Sequence, residues 1–310
     1  MALYDVPAPA KLNLFLHVTG RRPDGYHNLQ TVFRFIDLCD SLDFDLRRDG
    51  VIGREGEPLA GLAAEHDLVV RAARALQQAT GTPLGAQIRY IKRIPSGAGL
   101  GGGSSDAAST LIALNRLWNT GLDRQSLLRI ARPLGADVPV FVFGHPSFAE
   151  GTGDVLTPVT LPERCYLVLR PQGMVPTASV FSSPDLTRDT ESVIISFFAD
   201  WQTGQAHKKA QCSVENAKEN SRSIFLGNPL FGRNDLQPVV LAAYEEIRLL
   251  AEALQKQGFH ARMTGSGNCF FIEFDTPEQA ARAQQKISSK MLVEKSWVCS
   301  GLTDHPLISW

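Results

Sequence analysis

The chain carries a glycine-rich stretch whose residue types and spacing are suited to binding phosphate. Five of the seven residues from Gly97 to Gly103 are glycine. Three polar residues follow directly: Ser104, Ser105 and Asp106. A strand-like run precedes the stretch and a helix-like run follows it. Because glycine is costly to order, this density indicates a backbone that must approach a ligand closely. Free N–H groups at a helix N-terminus favour an anion, most often phosphate.

Two common phosphate-binding motifs do not fit this stretch. The pattern Gly97-x-Gly99-x-x-Gly102 satisfies the dinucleotide signature G-x-G-x-x-G. A dinucleotide oxidoreductase also needs an acidic residue about 20 positions further on, at the end of a second strand. Asp123 opens a helix instead. The P-loop of ATPases requires a lysine where Ser104 stands. A plain structural turn is the remaining alternative, and the number of glycines argues against it.

Composition narrows the class of protein. The 310 residues are enough for two domains, and the net charge of −1 argues against a nucleic-acid partner, which needs a basic surface. The five cysteines are scattered and form no C-x-x-C. We therefore expect neither a zinc site nor a disulfide framework, and a cytoplasmic location. The first residues lack a basic segment followed by an apolar run, and the apolar stretches are short. We expect no signal peptide and no membrane partner.

The hydrophobic pattern predicts an α+β protein in two parts, because strands and helices mix without strict alternation. Strands are predicted at 11–18, 29–38, 41–46, 165–169, 269–274 and 297–299. Helices are predicted at 67–79, 107–118, 123–134, 236–257 and 276–290. The apolar run 138–143 fits a strand or a buried helix. Composition shifts after residue 161, and the polar segment 200–233 is long for a loop.

Three segments together resemble the GHMP kinases, a family named for galactose, homoserine, mevalonate and phosphomevalonate kinases. They are Pro-Ala-Lys-Leu-Asn-Leu at 9–14, the glycine stretch at 95–105, and Thr-Gly-Ser-Gly-Asn-Cys at 264–269. They stand in the family's order over nearly the whole chain. The resemblance implies a ribosomal-protein-like α+β domain at 1–160 and a ferredoxin-like α+β domain at 161–310. The active site would lie in the cleft between them.

The resemblance also implies the nucleotide site. ATP would be bound by the loop residues Pro95, Ser96, Gly97, Ala98, Gly99, Leu100, Gly101, Gly102, Gly103, Ser104 and Ser105. A second loop would support the first and help to close the site, through Gly265, Ser266 and Gly267. From the residues alone, that triplet is equally a common turn. Mg²⁺ would arrive with the nucleotide, and the sequence does not assign its protein ligands.

Two charged residues are candidates for the chemistry of phosphoryl transfer. Asp137, in Gly-Ala-Asp-Val-Pro, is the candidate general base, and Lys11 could orient it and steady the substrate oxygen. From the residues alone, a residue such as Asp137 is more often a helix or turn cap, and one such as Lys11 is more often a solvated charge. The resemblance implies the catalytic roles.

Three further short segments indicate which substrate accepts the phosphoryl group. Residues 22–27, 134–139 and 234–238 resemble the branch of the family that acts on a cytidine-diphosphate-linked polyol. This resemblance implies that Tyr26 stacks on the cytosine, that His27 hydrogen-bonds the edge of the base, and that Phe181 is the second stacking face. From the residues alone, a turn aromatic, an incidental histidine and a core phenylalanine fit as well.

The remaining substrate contacts are implied in the same way. Asn13 would hold a substrate hydroxyl or Lys11, with a strand-edge asparagine as the alternative. Asp137 would touch the substrate as well as take its proton. The runner-up reaction is that of a homoserine- or mevalonate-type kinase, whose substrates have no base to stack on Tyr26. We expect a small-molecule substrate, no nucleic-acid partner, and a monomer or weak homodimer.

Overall fold

The computed structural model describes residues 1–55, 66–193, 232–288 and 293–310. The segment predicted to be irregular, 200–233, lies outside the described residues apart from its last two. Within the described ranges, none of the helices is long and apolar enough to cross a membrane.

A six-stranded sheet dominates the first half of the chain. Its strands are β1 (Ala2–Arg21), β2 (His27–Arg47), β3 (Ile52–Glu55), β4 (Gly85–Ile91), β5 (Ser147–Glu150) and β6 (Val155–Pro158). The order is β3-β4-β2-β5-β6, and β1 pairs antiparallel with β2. Four helices pack with this sheet around a shared apolar core: α1 (Leu68–Thr80), α2 (Gly102–Leu117), α3 (Arg124–Ala131) and α4 (Val138–Phe143).

The first two strands are longer than the hydrophobic pattern predicts. The predicted ends at residues 11 and 18 lie inside β1, and the predicted break between residues 38 and 41 lies inside β2. The β-bulges interrupt the alternation without ending the strands. At one of them Pro9 pairs with Cys39 while Ala10 pairs with Ile36, so two residues of β2 are left out of the register. The prediction of two separate strands at 29–38 and 41–46 was therefore wrong.

A four-stranded antiparallel sheet forms the second half. Its strands are β7 (Cys165–Pro171), β8 (Arg262–Met263), β9 (Phe270–Phe274) and β10 (Val293–Ser300), in the order β10-β7-β9-β8. Its helices are α5 (Thr177–Ser182), α6 (Gln237–Ala243), α7 (Glu245–Lys256) and α8 (Pro277–Ser288). The order of strands and helices is the split β-α-β of a ferredoxin-like domain. Both the α+β class and this arrangement are confirmed.

Two helical predictions need comment. The helix expected at 236–257 is two helices, because Tyr244 has extended backbone (φ −126°, ψ 100°) between α6 and α7. The buried positions Val240, Ile247, Leu250 and Leu254 keep a helical spacing across this break, so the pattern could not reveal it. The ambiguous run 138–143 is helix α4, with Pro139 in its first turn.

The halves are joined by more than one connection. The end of the chain returns to the first half, where Leu307 enters the core and Arg124 donates to the carbonyls of Leu307 and Ile308. On the opposite side, Leu16 in β1 exchanges backbone hydrogen bonds with residues just before α6. The predicted boundary at residue 160 separates the two sheets and stays a prediction.

Candidate active site

A cleft of about 480 Å³ opens between the two halves and gathers most of the predicted site residues. The predicted residues that line it are Lys11, Asn13, Asp137, Phe181, Gly265, Ser266, Pro95, Ser96, Gly97, Ala98, Gly99, Gly101, Gly102, Gly103 and Ser104. Five predicted residues are not part of its lining: Tyr26, His27, Leu100, Ser105 and Gly267.

The glycine stretch is a loop that ends in a helix N-terminus. Gly97, Gly99 and Gly101 all have positive φ, between 68° and 76°. Helix α2 begins at Gly102, five residues before the predicted start, and no side chain caps it. Because the first N–H groups of a helix have no intrahelical partner, they are available to an anion in the cleft. Ser105 lies within this first part of α2 and is fully buried.

The two glycine loops pack backbone against backbone. A Cβ on Gly99 would lie 2.1 Å from the carbonyl oxygen of Thr264, and one on Gly267 would lie 2.3 Å from the nitrogen of Gly99. Gly265 has a positive φ of 59° and faces the same loop. Only residues without a side chain allow this approach. The structure thus brings the predicted supporting loop against the predicted phosphate loop.

Lys11 occupies the floor of the cleft. Its ammonium donates to Asn13 Oδ1 at 2.7 Å and to the carbonyl of Gly99 at 3.0 Å, and it lies 3.4 Å from Asp137 Oδ2. Only 3% of its side chain is exposed. A buried ammonium is tolerated when it is paired and hydrogen-bonded in this way. Lys11 is therefore not a solvated surface charge.

Asp137 stands just before α4 and faces Lys11 across the cleft. Its side chain makes no capping hydrogen bond to α4, although it occupies the N-cap position. About a third of the side chain, 36%, is exposed. The carboxylate is thus open to a ligand on one side and held by Lys11 on the other.

Lys11 is held in place by a chain of buried hydrogen bonds that runs through Asn13. Asn13 Nδ2 donates to Thr31 Oγ1 at 2.9 Å, and the backbone N–H of Asn13 donates to Thr264 Oγ1 at 2.9 Å. Asn13 Oδ1 accepts from Lys11, so of the two roles predicted for Asn13 the structure displays contact with the lysine. The parts of Thr31 and Thr264 were not foreseen, because their partners are distant in sequence.

At the other end of the cleft, aromatic rings from the two halves meet. The ring centroids of His27 and Phe181 are 5.3 Å apart, and Arg188 Nε donates to His27 Nε2 at 3.1 Å. Burial lowers the pKa of His27, and the nearby guanidinium groups of Arg188 and Arg21 lower it further. Tyr26 lies on the preceding turn with 66% of its surface exposed. The structure brings His27 and Phe181 together and leaves Tyr26 outside.

A buried ion cluster that sequence reasoning missed lies beneath the phosphate loop. Lys92 lines the cleft, bonds Asp106 Oδ2 at 2.5 Å, and also contacts Asp40. Asp40 in turn accepts the N–H groups of Arg93 and Ile94. Burial raises the pKa of Asp106 to about 7, although Lys92 opposes this shift. Asp106 is therefore part of a buried ion cluster with Lys92 and Asp40. The sequence feature that could have indicated this cluster is the position of Asp106, a carboxylate on the buried face of α2.

A second missed residue, Asn234, supports the other glycine loop. Its Nδ2 donates to the carbonyls of Met263, at 2.9 Å, and Gly265, at 2.8 Å. The side chain is buried, and its Oδ1 accepts from the N–H of Leu236 at the start of α6. Asn234 therefore ties the supporting loop to the helical part of the second half.

Comparison with known proteins agrees with this architecture. The family model "GHMP kinases N terminal domain" matches residues 67–145, and "GHMP kinases C terminal" matches residues 213–293. The two matches fall on the phosphate loop with Asp137, and on the supporting loop with Asn234.

Similarity to individual proteins extends over the full chain. A 4-diphosphocytidyl-2-C-methyl-D-erythritol kinase from Bordetella parapertussis is 54% identical over 325 aligned positions, which cover 100% of this chain and 99% of the relative. A crystal structure of 4-(cytidine 5'-diphospho)-2C-methyl-D-erythritol kinase matches with a TM-score of 0.72 and 31% identity, and covers 97% of this chain and 99% of the other. Homoserine kinase from Cytophaga hutchinsonii (TM-score 0.67, 16% identity, coverage 98% and 95%) shares the fold alone. The chain therefore belongs to the GHMP kinases, and within them to the 4-diphosphocytidyl-2-C-methyl-D-erythritol kinase family.

Proposed function

We propose that the cleft transfers the γ-phosphoryl group of ATP to the 2-hydroxyl of 4-diphosphocytidyl-2-C-methyl-D-erythritol. The products are the 2-phosphate and ADP, a step in non-mevalonate isoprenoid precursor biosynthesis. The observation that carries the proposal is the Lys11–Asp137 pair, which lies directly beside the phosphate loop. The choice of substrate is supported by relatives that match over nearly their full length and are named 4-diphosphocytidyl-2-C-methyl-D-erythritol kinase.

The phosphate loop and the start of α2 bind the nucleotide's phosphates. Their uncapped N–H groups and the positive end of the helix dipole supply fixed partial charges that need no reorganisation during the reaction. The supporting loop at 265–267 keeps this backbone in place, because the two loops touch without intervening side chains. The ATP-binding set of this proposal is the whole phosphate loop: Pro95, Ser96, Gly97, Ala98, Gly99, Leu100, Gly101, Gly102, Gly103, Ser104 and Ser105. All of these residues except Leu100 and Ser105 line the cleft.

Asp137 acts as general base. Its carboxylate takes the proton of the 2-hydroxyl while that oxygen forms a bond to the γ-phosphorus. The bond from the γ-phosphorus to the bridging oxygen breaks, and ADP leaves with the electron pair. Lys11 holds Asp137 in place and stabilises the negative charge on the attacking oxygen. Asn13 fixes Lys11, and its location in the cleft also suits contact with the substrate.

Mg²⁺ enters with the nucleotide in this proposal. Within the described residues, no group of three or more His, Cys, Asp or Glu side chains is arranged to hold a metal ion. Mg²⁺ is held mainly by phosphate oxygens and water, with few protein ligands. The Ser104 hydroxyl, in the first turn of α2 and on the cleft wall, is one protein oxygen that could join it. The ion would neutralise charge on the phosphates.

The cytosine end is built from His27, Phe181 and Tyr26. His27 and Phe181 already face each other, and Tyr26 lies on the adjoining turn. In the proposal Tyr26 moves onto the base when substrate binds, so that the base lies between two aromatic rings.

The wider setting completes the proposal. The net charge of −1 supports a small-molecule substrate without a nucleic-acid partner. The four cysteines in the described residues are free thiols, which supports a cytoplasmic location. We propose a monomer or weak homodimer, with the domain boundary near residue 160.

The test is turnover of three acceptors by the purified chain with Mg²⁺-ATP. We expect ADP release that depends on 4-diphosphocytidyl-2-C-methyl-D-erythritol, and background rates with homoserine and mevalonate. Turnover confined to homoserine or mevalonate would reject the proposal, since neither acceptor carries a base.

A further inference from the structure

One arginine connects both sides of the base site. Arg188 Nε donates to His27 Nε2 at 3.1 Å. The two terminal nitrogens of the same guanidinium donate to backbone carbonyls around the end of α5: Phe181 at 3.1 Å, Ser183 at 2.6 Å and Leu186 at 3.1 Å. The first contact reaches the start of β2 and the others reach the segment that carries Phe181. The side chain is half-buried. Its position therefore fixes the two sides relative to each other.

The contact with His27 also selects one tautomer of the imidazole. A guanidinium can only donate hydrogen bonds, so Nε2 of His27 must accept and cannot carry a proton. Burial and the cationic neighbours Arg188 and Arg21 lower the pKa of the ring, which favours its neutral form. A neutral imidazole without a proton on Nε2 carries it on Nδ1. The ring thus keeps one donor, Nδ1–H, for a ligand.

We infer that Arg188 is a positioning residue that makes the base site select cytosine over uracil, an inference that rests on the proposed function. A fixed Nδ1–H donor requires an acceptor on the edge of the base. N3 of cytosine is an acceptor, whereas N3 of uracil carries a proton and would face the donor with a second donor. Without Arg188, His27 can place its proton on either nitrogen and fit both bases.

Two roles of Arg188 can be distinguished: it could only hold the segment that carries Phe181, or it could also set the tautomer of His27. A clamp alone would hold Phe181 and would leave the discrimination between bases unchanged. A role through His27 predicts a change in the tautomer and in base selectivity. Arg188→Met removes every donor and keeps a similar stem. Arg188→Lys keeps one cationic donor for Nε2 and loses the planar fork.

The first experiment measures the ring directly and needs no catalysis. We would record ¹⁵N NMR spectra of histidine-labelled protein without substrate, with His27→Gln to assign the signal. We expect the Nδ1–H tautomer in the wild type and in Arg188→Lys, and a mixture of tautomers in Arg188→Met. A wild-type ring with its proton on Nε2 would overturn the inference, even if the variants fail to fold.

The second experiment compares 4-diphosphocytidyl-2-C-methyl-D-erythritol with its uridine counterpart. For Arg188→Met we expect KM for the cytidine substrate to rise roughly 10- to 100-fold, as for loss of a hydrogen bond to a charged group. The kcat and the KM for ATP stay near wild type, and the preference for cytidine falls at least about tenfold. Arg188→Lys restores most of the preference.

Arg282→Met is the matched control, because Arg282 is exposed on α8 and its Nε donates to the carbonyl of Glu278 in the same helix. It should leave all of these values unchanged. An unchanged cytidine preference in a folded Arg188→Met protein would refute the inference. Failure of the wild type to use the cytidine substrate would refute the proposed function instead, and the NMR result would still stand by itself.

Discussion

The two ends of the cleft differ in how far the chain itself completes them. At the phosphate end, the Lys11 ammonium has three protein partners, and Asn13 is bonded to both halves of the molecule. At the base end, His27 and Phe181 touch but Tyr26 is exposed. Under the proposed function, the reacting groups are preorganised at the phosphate end, whereas the base site is completed only when the substrate binds. Rate should therefore depend on the first end and substrate affinity on the second.

Asp137→Asn should give the largest effect, at the phosphate end. We expect kcat to fall roughly 10²–10⁴-fold, because the amide cannot accept the proton of the hydroxyl, while KM changes little. Steady-state kinetics with saturating ATP would measure this. Asp123→Asn is the control: Asp123 caps α3 by accepting from Ser126 N at 2.8 Å, and asparagine caps equally well. Near-normal kcat in Asp137→Asn would remove Asp137 as the base.

Gly99→Ala should break the contact between the two glycine loops. The new methyl group would overlap the carbonyl of Thr264. A methyl group on Gly121, which also has positive φ (68°), would meet no described residue within 4 Å. Both variants suffer backbone strain, and only the first suffers overpacking, which costs about 1–3 kcal/mol more in unfolding free energy. We also expect a raised KM for ATP in Gly99→Ala alone. Equal losses of stability in denaturant titrations would argue against the loop contact.

The packing of α4, the helix that follows Asp137, can be tested at His305, because the ring of His305 packs edge-on against Phe141 in α4. Burial lowers its pKa to about 3. A histidine with a lowered folded-state pKa contributes full stability above its unfolded pKa of about 6.5, and the contribution is lost as pH falls toward 3. Between pH 8 and pH 5 we expect a loss of about 2 kcal/mol in unfolding free energy from this group. In His305→Gln the same pH interval should cost correspondingly less, and identical pH slopes would contradict the assignment.

Tyr26→Ala should give the smallest effect, and at the base end only. Stacking on a base is worth about 1–3 kcal/mol, so we expect KM for the cytidine substrate to rise roughly tenfold at nearly constant kcat. Thermal stability should stay unchanged because the side chain is exposed. Tyr4→Ala is the control, since Tyr4 is 60% exposed and bonds Asp45 at the far end of β2. A fall in kcat without a change in KM would show that the two ends are not separable in this way.

Local chemistry explains why much of the site could be predicted from sequence. In the glycine stretch at 97–103, Gly97, Gly99 and Gly101 have positive φ, and Gly99 also lies directly against the backbone of Thr264. Glycine suits both demands, so the loop can be detected in the sequence without its partner. The helix caps Asp67 and Asp123 were also predictable, because each bonds an N–H two or three residues away. The roles proposed for Lys11 and Asp137 rest on the family resemblance, since a single charged residue has many possible uses in a protein.

Features that depend on distant partners could not be predicted. The Lys92–Asp106 contact and the Asn13–Thr264 contact join residues from different elements, the second across 251 positions. The bulges in β1 and β2 depend on the pairing between them, and the break at Tyr244 leaves the helical spacing intact. The sequence around Arg188 did not indicate a role, because the role proposed for Arg188 depends on its hydrogen bond to the distant His27.

The proposed function requires the Lys11–Asp137 pair to direct phosphoryl transfer to one hydroxyl of a substrate that is bound through its cytosine. The site of transfer can be measured by ³¹P and ¹³C NMR of the product formed from Mg²⁺-ATP and 4-diphosphocytidyl-2-C-methyl-D-erythritol. We predict a single new phosphomonoester on the oxygen of C2, formed together with an equal amount of ADP. Phosphate on another hydroxyl, or ADP release without a phosphorylated product, would refute this reaction.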